Sequence, residues 1–220
     1  MRHAAAPEAP ARPTRPGGTL VSLDGIDKTY GPTRAVREVA FSVRPGEVVG
    51  LIGANGAGKS TLMRVLTGIT APDAGRFALD GRPVDLKAYG PRESHDLGIR
   101  MVHQELSLCP NLTAAENFFL EQPREARTAP LWLNPYRAAV RASLAEIFPA
   151  ARIDPDTRVG RLDIAGRQML EIARAACDPR LRLLILDEPT SSLGSAEARA
   201  LHAFIAARAR AGLAVIFISH

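Results

Sequence analysis

A glycine-rich stretch near residue 55 contains residue types that bind phosphate. It reads GANGAGKS over Gly53–Ser60, fits the pattern GxxxxGK[ST], and lies between a predicted strand and a predicted helix. Glycines allow backbone N–H groups to turn inward around phosphate oxygens, and the positive end of the helix dipole faces the same oxygens. In this pattern Lys59 supplies a cation to the β- and γ-phosphates, and the Ser60 hydroxyl ligates Mg²⁺. The sequence therefore predicts a nucleotide-phosphate site formed by Gly53, Ala54, Asn55, Gly56, Ala57, Gly58, Lys59, Ser60 and Thr61.

Two acidic residues follow a continuous apolar run further along the chain. The run is Leu183–Leu186, typical of a strand buried on both faces of a parallel sheet, and Asp187 and Glu188 come directly after it. Ligands of open α/β sheets bind outside the carboxyl ends of the strands. Asp187 is predicted to hold Mg²⁺ through water, and Glu188 to orient or deprotonate an attacking water. Alone, the pattern is typical of a strand that enters a polar loop. The upstream phosphate loop favours the functional interpretation, with this strand beside the phosphate-loop strand.

Two more polar residues stand at the ends of predicted strands. Gln104 follows the strand Gly98–His103, and His220 follows the apolar run Ala214–Ser219. Each is by itself an ordinary strand-end polar group. Because carboxyl ends of parallel strands meet at one edge of a sheet, both become candidates for the same site as the phosphate loop.

The elements that must position these residues are strands first and helices later. Alternating apolar residues predict strands over Leu20–Tyr30, Ala35–Val43 and Glu47–Gly53, and a helix follows the phosphate loop. Asp80-Gly81 is a hairpin signal after a short strand.

Helical periodicity dominates from about Gln104 to Cys177. Asn134 is predicted to cap a helix that has Pro135 at its first position, and a second helix follows Gly166. After the Leu183–Leu186 strand, Ser195 is predicted to cap a helix that ends near residue 211. The predicted fold class is α/β, a P-loop NTPase core with a mixed or parallel sheet, an antiparallel β subdomain and a helical subdomain at about residues 105–177.

The composition is that of one folded domain. The chain has 220 residues, of which 46% are hydrophobic and 23% charged. The net charge is +5, but the arginines are scattered, so no nucleic-acid partner is predicted. No apolar run approaches the roughly 18 residues of a membrane-spanning helix, and Cys109 and Cys177 lack the spacing of a metal or redox site. Residues 1–18 are predicted to be a disordered tail, and the domain to cover residues 19–220.

The order of these motifs resembles the nucleotide-binding domain of ATP-binding cassette (ABC) transporters. The stretches that carry the resemblance are GANGAGKST, VHQEL, LDIAGRQMLEIARA, LLILDEPTSSL and IFISH. The chain is most similar to the first of the two cassettes in bacterial sugar importers of the ribose, xylose and galactoside type. The resemblance covers about residues 19–220.

The resemblance implies a role for each matching residue. Tyr30 would stack on adenine, although a lone tyrosine there also fits ordinary strand packing. Gln104 would sense Mg²⁺ and the attacking water, and His220 would hydrogen-bond the γ-phosphate. The implied catalytic residues are Lys59, Gln104, Glu188 and His220, and the implied metal ligands are Ser60, Gln104 and Asp187. The stretch Glu105–Asn117 would face the membrane subunits.

The sequence departs from the family in its signature loop. Where relatives read Leu-Ser-Gly-Gly-Gln, this chain has Leu162, Asp163, Ile164, Ala165 and Gly166. A serine there donates to the γ-phosphate held by the partner cassette, whereas the Asp163 carboxylate only accepts and carries a like charge. Ala165 would cost energy if its position needs positive φ. Gly194 also stands where many relatives have aspartate. The signature is therefore expected to be degenerate, while the phosphate loop serves a competent site.

The resemblance implies an ATPase that uses ATP and Mg²⁺ to power sugar import. The implied partners are the membrane permease subunits, a second cassette in the same parent chain or a dimer, and indirectly a periplasmic binding protein. The implied location is peripheral, on the cytoplasmic face of the inner membrane. The end at His220 is interpreted as a truncation that removes further C-terminal elements.

Three other functions are compatible with parts of the pattern. A nucleoside importer would use a closely similar cassette, and a regulatory module would bind nucleotide without turnover, as the altered signature suggests. A soluble cassette ATPase that acts on ribosomes or DNA would carry basic inserts or coiled-coil arms, which are not seen between the phosphate loop and the signature.

Overall fold

Two four-stranded sheets organise the protein in a computed structural model that describes residues 18–54, 56–121 and 132–219. The antiparallel sheet has the order β2-β1-β4-β5 and the parallel sheet the order β3-β8-β7-β6. The strands are β1 Val21–Tyr30, β2 Thr33–Val43, β3 Val48–Ile52, β4 Ala74–Leu79, β5 Arg82–Pro83, β6 Ile99–Val102, β7 Leu183–Asp187 and β8 Ala214–Ser219. The helices are α1 Lys59–Leu66, α2 Pro91–Asp96, α3 Ala114–Leu120, α4 Asn134–Ile147, α5 Ile164–Ala176 and α6 Ser195–Arg210. The predicted fold class, an α/β P-loop core with an antiparallel sheet and added helices, is confirmed.

The strand order corrects one prediction. The strand that ends in Asp187 was predicted to lie beside the phosphate-loop strand β3, but β8 lies between β3 and β7. Exposure accounts for the edge position of β3, because its Val48 and Ile52 are 48% and 77% exposed whereas Leu183–Leu186 of β7 are fully buried. A strand with one exposed face suits the edge of a parallel sheet, and a continuous apolar strand suits its interior.

Strand β7 separates two hydrophobic clusters. Leu183 and Ile185 pack into the cluster that includes α1 and the antiparallel sheet, and Leu184 and Leu186 pack into the cluster that includes α3, α4 and α5. Alternate side chains of a strand point to opposite faces, so both faces of β7 must be apolar. This is the physical reason for the uninterrupted LLIL run.

Several local predictions can be compared with the structure. Asp80 and Gly81 have φ values of 51° and 71°, as the two-residue turn between β4 and β5 requires, so the hairpin is confirmed. Asn134 is the first residue of α4 rather than its cap, which is Leu133. Likewise Gly194 caps α6, Ser195 is its first residue, and the helix ends at Arg210. The predicted tail, residues 1–18, lies outside the described residues except for its last position. Within the described ranges no helix is long and apolar enough to cross a membrane.

Candidate nucleotide-binding site

Helix α1 begins at the phosphate loop without a side-chain cap. Its N-cap residue, Gly58, has φ 84°, a left-handed conformation that side-chain-bearing residues rarely adopt. A Cβ at Gly58 would lie 2.3 Å from the carbonyl oxygen of Ala35 on β2. Both the backbone conformation and this close approach therefore require glycine. The first N–H groups of a helix have no intrahelical partner. With no acidic residue in the first turn, these donors and the helix dipole suit an anion.

Lys59 lies over the phosphate loop that precedes it. Its ammonium group donates hydrogen bonds to the carbonyl oxygens of Gly53 and, at 3.1 Å, Ala54, and the residue is only 9% exposed. The cation is therefore already held at the loop. Ser60 is exposed beside it and Thr61 is half-buried, while Asn55 lies outside the described residues.

The parallel register brings the other predicted residues to the edge of the sheet where this loop begins. Ile52 of β3 pairs with Ser219 of β8, and Asp187 of β7 pairs with Ile218. Since neighbouring strands lie about 4.8 Å apart, the ends of β3 and β7 are separated by about 10 Å. His220 follows Ser219 and is not among the described residues.

Gln104 belongs to the same edge of the parallel sheet. It lies two residues beyond Val102, the last residue of β6, which pairs with Leu186 of β7. Its side chain is exposed. The structure thus places the phosphate loop, Asp187, Glu188 and Gln104 after parallel strands at one edge.

Glu188 has an unusual backbone conformation. Its φ of 46° is left-handed, which costs a non-glycine residue about 1–3 kcal/mol. Three hydrogen bonds hold it there. Its N–H donates to the Ile218 carbonyl at 3.1 Å, and its own carbonyl accepts from the N–H and hydroxyl of Ser191 at 3.2 and 3.0 Å. Such strain is characteristic of functional sites, where the surrounding structure fixes a side-chain direction.

Tyr30 stands at the end of β1 with an exposed ring. The residue is 43% exposed, its hydroxyl lies 3.5 Å from that of Thr70, and the Lys28 ammonium lies 5.6 Å from the ring centroid. This exposure favours a stacking role over the strand-packing alternative.

The metal candidates are all oxygen donors. They are the Ser60 hydroxyl, the Asp187 carboxylate and the Gln104 amide, a set that suits Mg²⁺ rather than a softer metal. Among the described residues no group of three His, Cys, Asp or Glu side chains forms a metal site. Mg²⁺ is commonly held by one or two protein oxygens together with nucleotide phosphates, so these residues fit a metal that arrives with its nucleotide.

The signature segment forms the N-terminus of α5, and its first turn is capped by its own side chain. The Asp163 carboxylate accepts a hydrogen bond of 2.7 Å from the N–H of Gly166. A Cβ at Gly166 would lie 2.9 Å from that carboxylate oxygen, so the aspartate and the glycine fit each other. Ile164 is 68% exposed, and Leu162 precedes the helix in an extended conformation. Between described residues, no hydrogen bond or ion pair joins this segment to the phosphate loop.

The predicted strain at Ala165 is wrong. Ala165 lies within α5, and the described non-glycine residues with positive φ are Glu38, Asp80 and Glu188. An alanine in the first turn of a helix carries no penalty.

Sequence reasoning missed an ionic cluster on α5. Glu171 and Arg174 are 1% and 7% exposed, bond to each other, and also contact Ser107 and Glu121. The only signal in the sequence is an acid and a base three residues apart in an apolar helix.

Known proteins are similar to this chain over most of its length. The model of the ABC transporter family matches residues 36–191. Ribose import ATP-binding protein RbsA 2 of Agrobacterium fabrum is 40% identical over 204 residues, which cover 93% of this chain and 39% of that protein. RbsA 1 of Burkholderia ambifaria is 42% identical over 205 residues, or 91% of this chain and 39% of that protein. The chain therefore spans about two fifths of the length of these relatives.

A solved structure shows the same fold. The crystal structure of a nucleotide-free ATP-binding cassette from an ABC transporter superimposes with a TM-score of 0.74 at 24% identity, over 92% of this chain and 81% of that one.

Proposed function

Because the chain belongs to the ABC transporter family, we propose that it binds ATP with Mg²⁺ and that hydrolysis of this ATP powers the import of a sugar. The proposal depends on one observation: the uncapped N-terminus of α1 and the Asp187-Glu188 pair follow parallel strands at one sheet edge. The sugar cargo is supported by the relatives, which are named as ribose import ATP-binding proteins.

Nucleotide binding is assigned to the phosphate loop and Tyr30. The first-turn N–H groups of α1 would donate to phosphate oxygens, and Lys59 would exchange its contacts with the Gly53 and Ala54 carbonyls for the β- and γ-phosphates. The exposed Tyr30 ring would stack on the adenine. These contacts are preorganised, because the loop and the lysine already lie together.

The hydrolytic residues lie across the sheet edge from the loop. Ser60, Asp187 and Gln104 would hold Mg²⁺, which neutralises charge on the β- and γ-phosphates when bound. Glu188 would orient a water molecule and accept its proton, and its constrained backbone would fix the direction of the carboxylate. His220 would hydrogen-bond the γ-phosphate, as the family resemblance implies.

Asp163 makes the two segments of this chain that would contact nucleotide, the phosphate loop and the signature, unequal. We assign its phosphate loop to a competent site and its signature to a degenerate one in a two-cassette assembly. The Asp163 carboxylate occupies the Gly166 N–H and adds negative charge where a partner's γ-phosphate would approach. The same feature also supports a regulatory module that binds nucleotide without turnover.

The proposed assembly lies on the cytoplasmic face of the inner membrane. Its other members would be permease subunits and a second cassette, with a periplasmic binding protein acting indirectly. The stretch Glu105–Asn117 would contact the permease, and Glu105, Pro110 and Asn111 are exposed within it.

Magnesium-dependent ATP turnover of the purified chain tests the proposal. We expect Glu188→Gln to lower turnover at least about 100-fold, the typical contribution of a general base, with nucleotide binding retained. Light scattering should show that this variant dimerises with ATP. Glu197→Gln, a matched change in the first turn of α6, should leave turnover unchanged. Equal, measurable turnover in Glu188→Gln and the native protein would refute the assignment. Binding without turnover in both would mean either that hydrolysis needs the second cassette or that the chain is a regulatory module.

A further inference from the structure

An ionic cluster, buried at Glu171 and Arg174 and exposed at Ser107, ties the segment after Gln104 to helix α5. Three residues beyond Gln104, the Ser107 hydroxyl donates to the Glu171 carboxylate at 2.6 Å and accepts from the Arg174 guanidinium at 2.6 Å. Arg174 also donates to both carboxylate oxygens of Glu171, at 2.8 and 2.9 Å. The three side chains therefore form a closed triangle between a loop and a helix.

The cluster continues to two other helices. The second terminal nitrogen of Arg174 lies 3.2 Å from Glu121, the residue after α3, and Glu121 lies 2.9 Å from His95 of α2. Burial raises the pKa of Glu121, but the hydrogen bond from His95 and the charge of Arg174 outweigh it, so this pKa lies below its ordinary value. Glu121 thus stays ionised and holds Arg174 from the side opposite Ser107.

The burial of this cluster is not explained by stability alone. Glu171 is 1% exposed and Arg174 7% exposed, and a buried ion pair often adds little over a well-packed apolar pair. Here one terminal nitrogen of Arg174 is directed at both Glu171 oxygens and at Ser107, and such charge-assisted hydrogen bonds fix the geometry of the groups they join. The group whose geometry they fix is Ser107, in the loop between β6 and α3.

The loop is anchored on both sides of Gln104. Upstream, β6 ends at Val102, and downstream the backbone of Cys109 exchanges two hydrogen bonds with the Asn117 amide, at 2.7 and 3.1 Å. Three residues span at most about 10 Å, so a fixed Ser107 restricts where Gln104 can reach. A cavity of about 180 Å³, lined in part by His103, Ser107, Glu171 and Arg174, leaves room for the loop to shift if that anchor is lost.

We propose that Glu171 and Arg174 are positioning residues for Gln104, which act through Ser107 to hold the glutamine at the Mg²⁺ and water position. The inference rests on the proposed ATPase function. It links α5, whose first turn is the signature, through hydrogen bonds to the loop that carries Gln104.

The first test is ATP turnover by the full chain. Ser107→Ala and Glu171→Gln should each lower kcat about 10- to 100-fold, the effect of a small displacement of a reacting group, and raise the Mg²⁺ concentration for half-maximal activity. The KM for ATP should change less than about two-fold, because the phosphate loop is untouched. The double variant should be no worse than either single one, since both break one unit. Arg137→Lys, which alters the ion pair between Arg137 of α4 and Asp156 of the following loop, is the matched control and should behave as native.

Hydrogen exchange provides a test that needs no turnover. Glu171→Gln should speed amide exchange in residues 103–108 and leave α1 unchanged, whereas Arg174→Lys should give a smaller effect because it keeps the charge. The inference would be overturned if Ser107→Ala and Glu171→Gln kept the native kcat and the native Mg²⁺ response. Unchanged amide exchange in residues 103–108 of Glu171→Gln would also overturn it. Absence of turnover in the native chain would mean that this chain alone is not a hydrolytic unit, and the exchange result would then decide the positioning role by itself.

Discussion

Helices α1 and α5 both begin at segments that the sequence motifs assign to nucleotide, but their first turns differ. At α1 the cap is Gly58 in a left-handed conformation, no described side chain caps the helix, and Lys59 brings a positive charge. At α5 the Asp163 carboxylate accepts from the Gly166 N–H at 2.7 Å. The first helix start leaves its donors for an external anion, and the second supplies an anion of its own.

The difference shows that stability and anion binding compete for the same backbone donors. An aspartate cap stabilises a helix by about 0.5–2 kcal/mol, partly through the helix dipole. The same dipole and donors would otherwise attract a phosphate. Helix α5 thus gains local stability through a group that repels a nucleotide, whereas α1 gives up that stability at the place where ATP is proposed to bind.

Removing the Lys59 cation at α1 should have the largest effect on ATP binding. Hydrogen bonds to charged groups contribute about 1.5–3 kcal/mol, so Lys59→Ala should weaken ATP binding about 10- to 100-fold. Titration of a fluorescent ATP analogue into the purified chain measures this change in affinity. Lys87→Ala, at an exposed lysine elsewhere, should bind as native. Equal affinity in Lys59→Ala and Lys87→Ala would mean that α1 is not the anion-binding helix.

The two glycines at these helix starts should respond differently to alanine. Gly58→Ala combines left-handed strain with a 2.3 Å approach to the Ala35 carbonyl and should cost about 2–4 kcal/mol. Gly166→Ala meets only side chains, those of Asp163 and Leu162, and gains about 1 kcal/mol of helix propensity, so its net effect should stay within about 1 kcal/mol. Urea denaturation measures the free energy of unfolding of both variants. Similar losses of this free energy would contradict the difference between the two helix starts.

Replacing Asp163, the cap of α5, should remove the negative charge at the start of this helix with only a small loss of stability. In the proposed two-cassette assembly, Asp163→Ser keeps a capping oxygen and removes the charge, so ATP turnover should rise about two- to five-fold, the equivalent of about 0.4–1 kcal/mol. Asp163→Ala removes the same charge but also the cap, so it should in addition lower the free energy of unfolding by about 1 kcal/mol. Turnover that falls in Asp163→Ser would mean that the carboxylate contributes to activity.

Residues that must satisfy a chemical demand were predictable from sequence. The phosphate loop needs glycines at fixed positions, as the φ of Gly58 shows, and Asp187-Glu188 had to follow a buried strand. The order of β3, β8 and β7 was not predictable in the same way, because β7 and β8 are both apolar and either could have bordered β3.

Two features of α5 show different limits of sequence reasoning. Asp163 was considered only for its charge, although an aspartate before a helix is a recognised cap, so that signal was present but not used. The contact between Ser107 and Glu171 joins residues 64 positions apart and depends on how the loop folds against α5. No local pattern encodes such a contact, so only the structure could reveal the cluster.

The smallest expected effect tests whether the cap of α5 acts only locally. Burial raises the pKa of the Cys177 thiol, at the other end of this helix, to about 11. At pH 8 only about one thiol in a thousand is then ionised, so labelling of Cys177 by a thiol-reactive reagent should be slow. The labelling rate should rise about ten-fold per pH unit. In a Cys109→Ser background, Asp163→Ala should change this rate less than about two-fold, because capping effects fade beyond the first turn. A large acceleration would show that the cap holds the whole helix in place, and the contrast between α1 and α5 would then extend beyond their first turns.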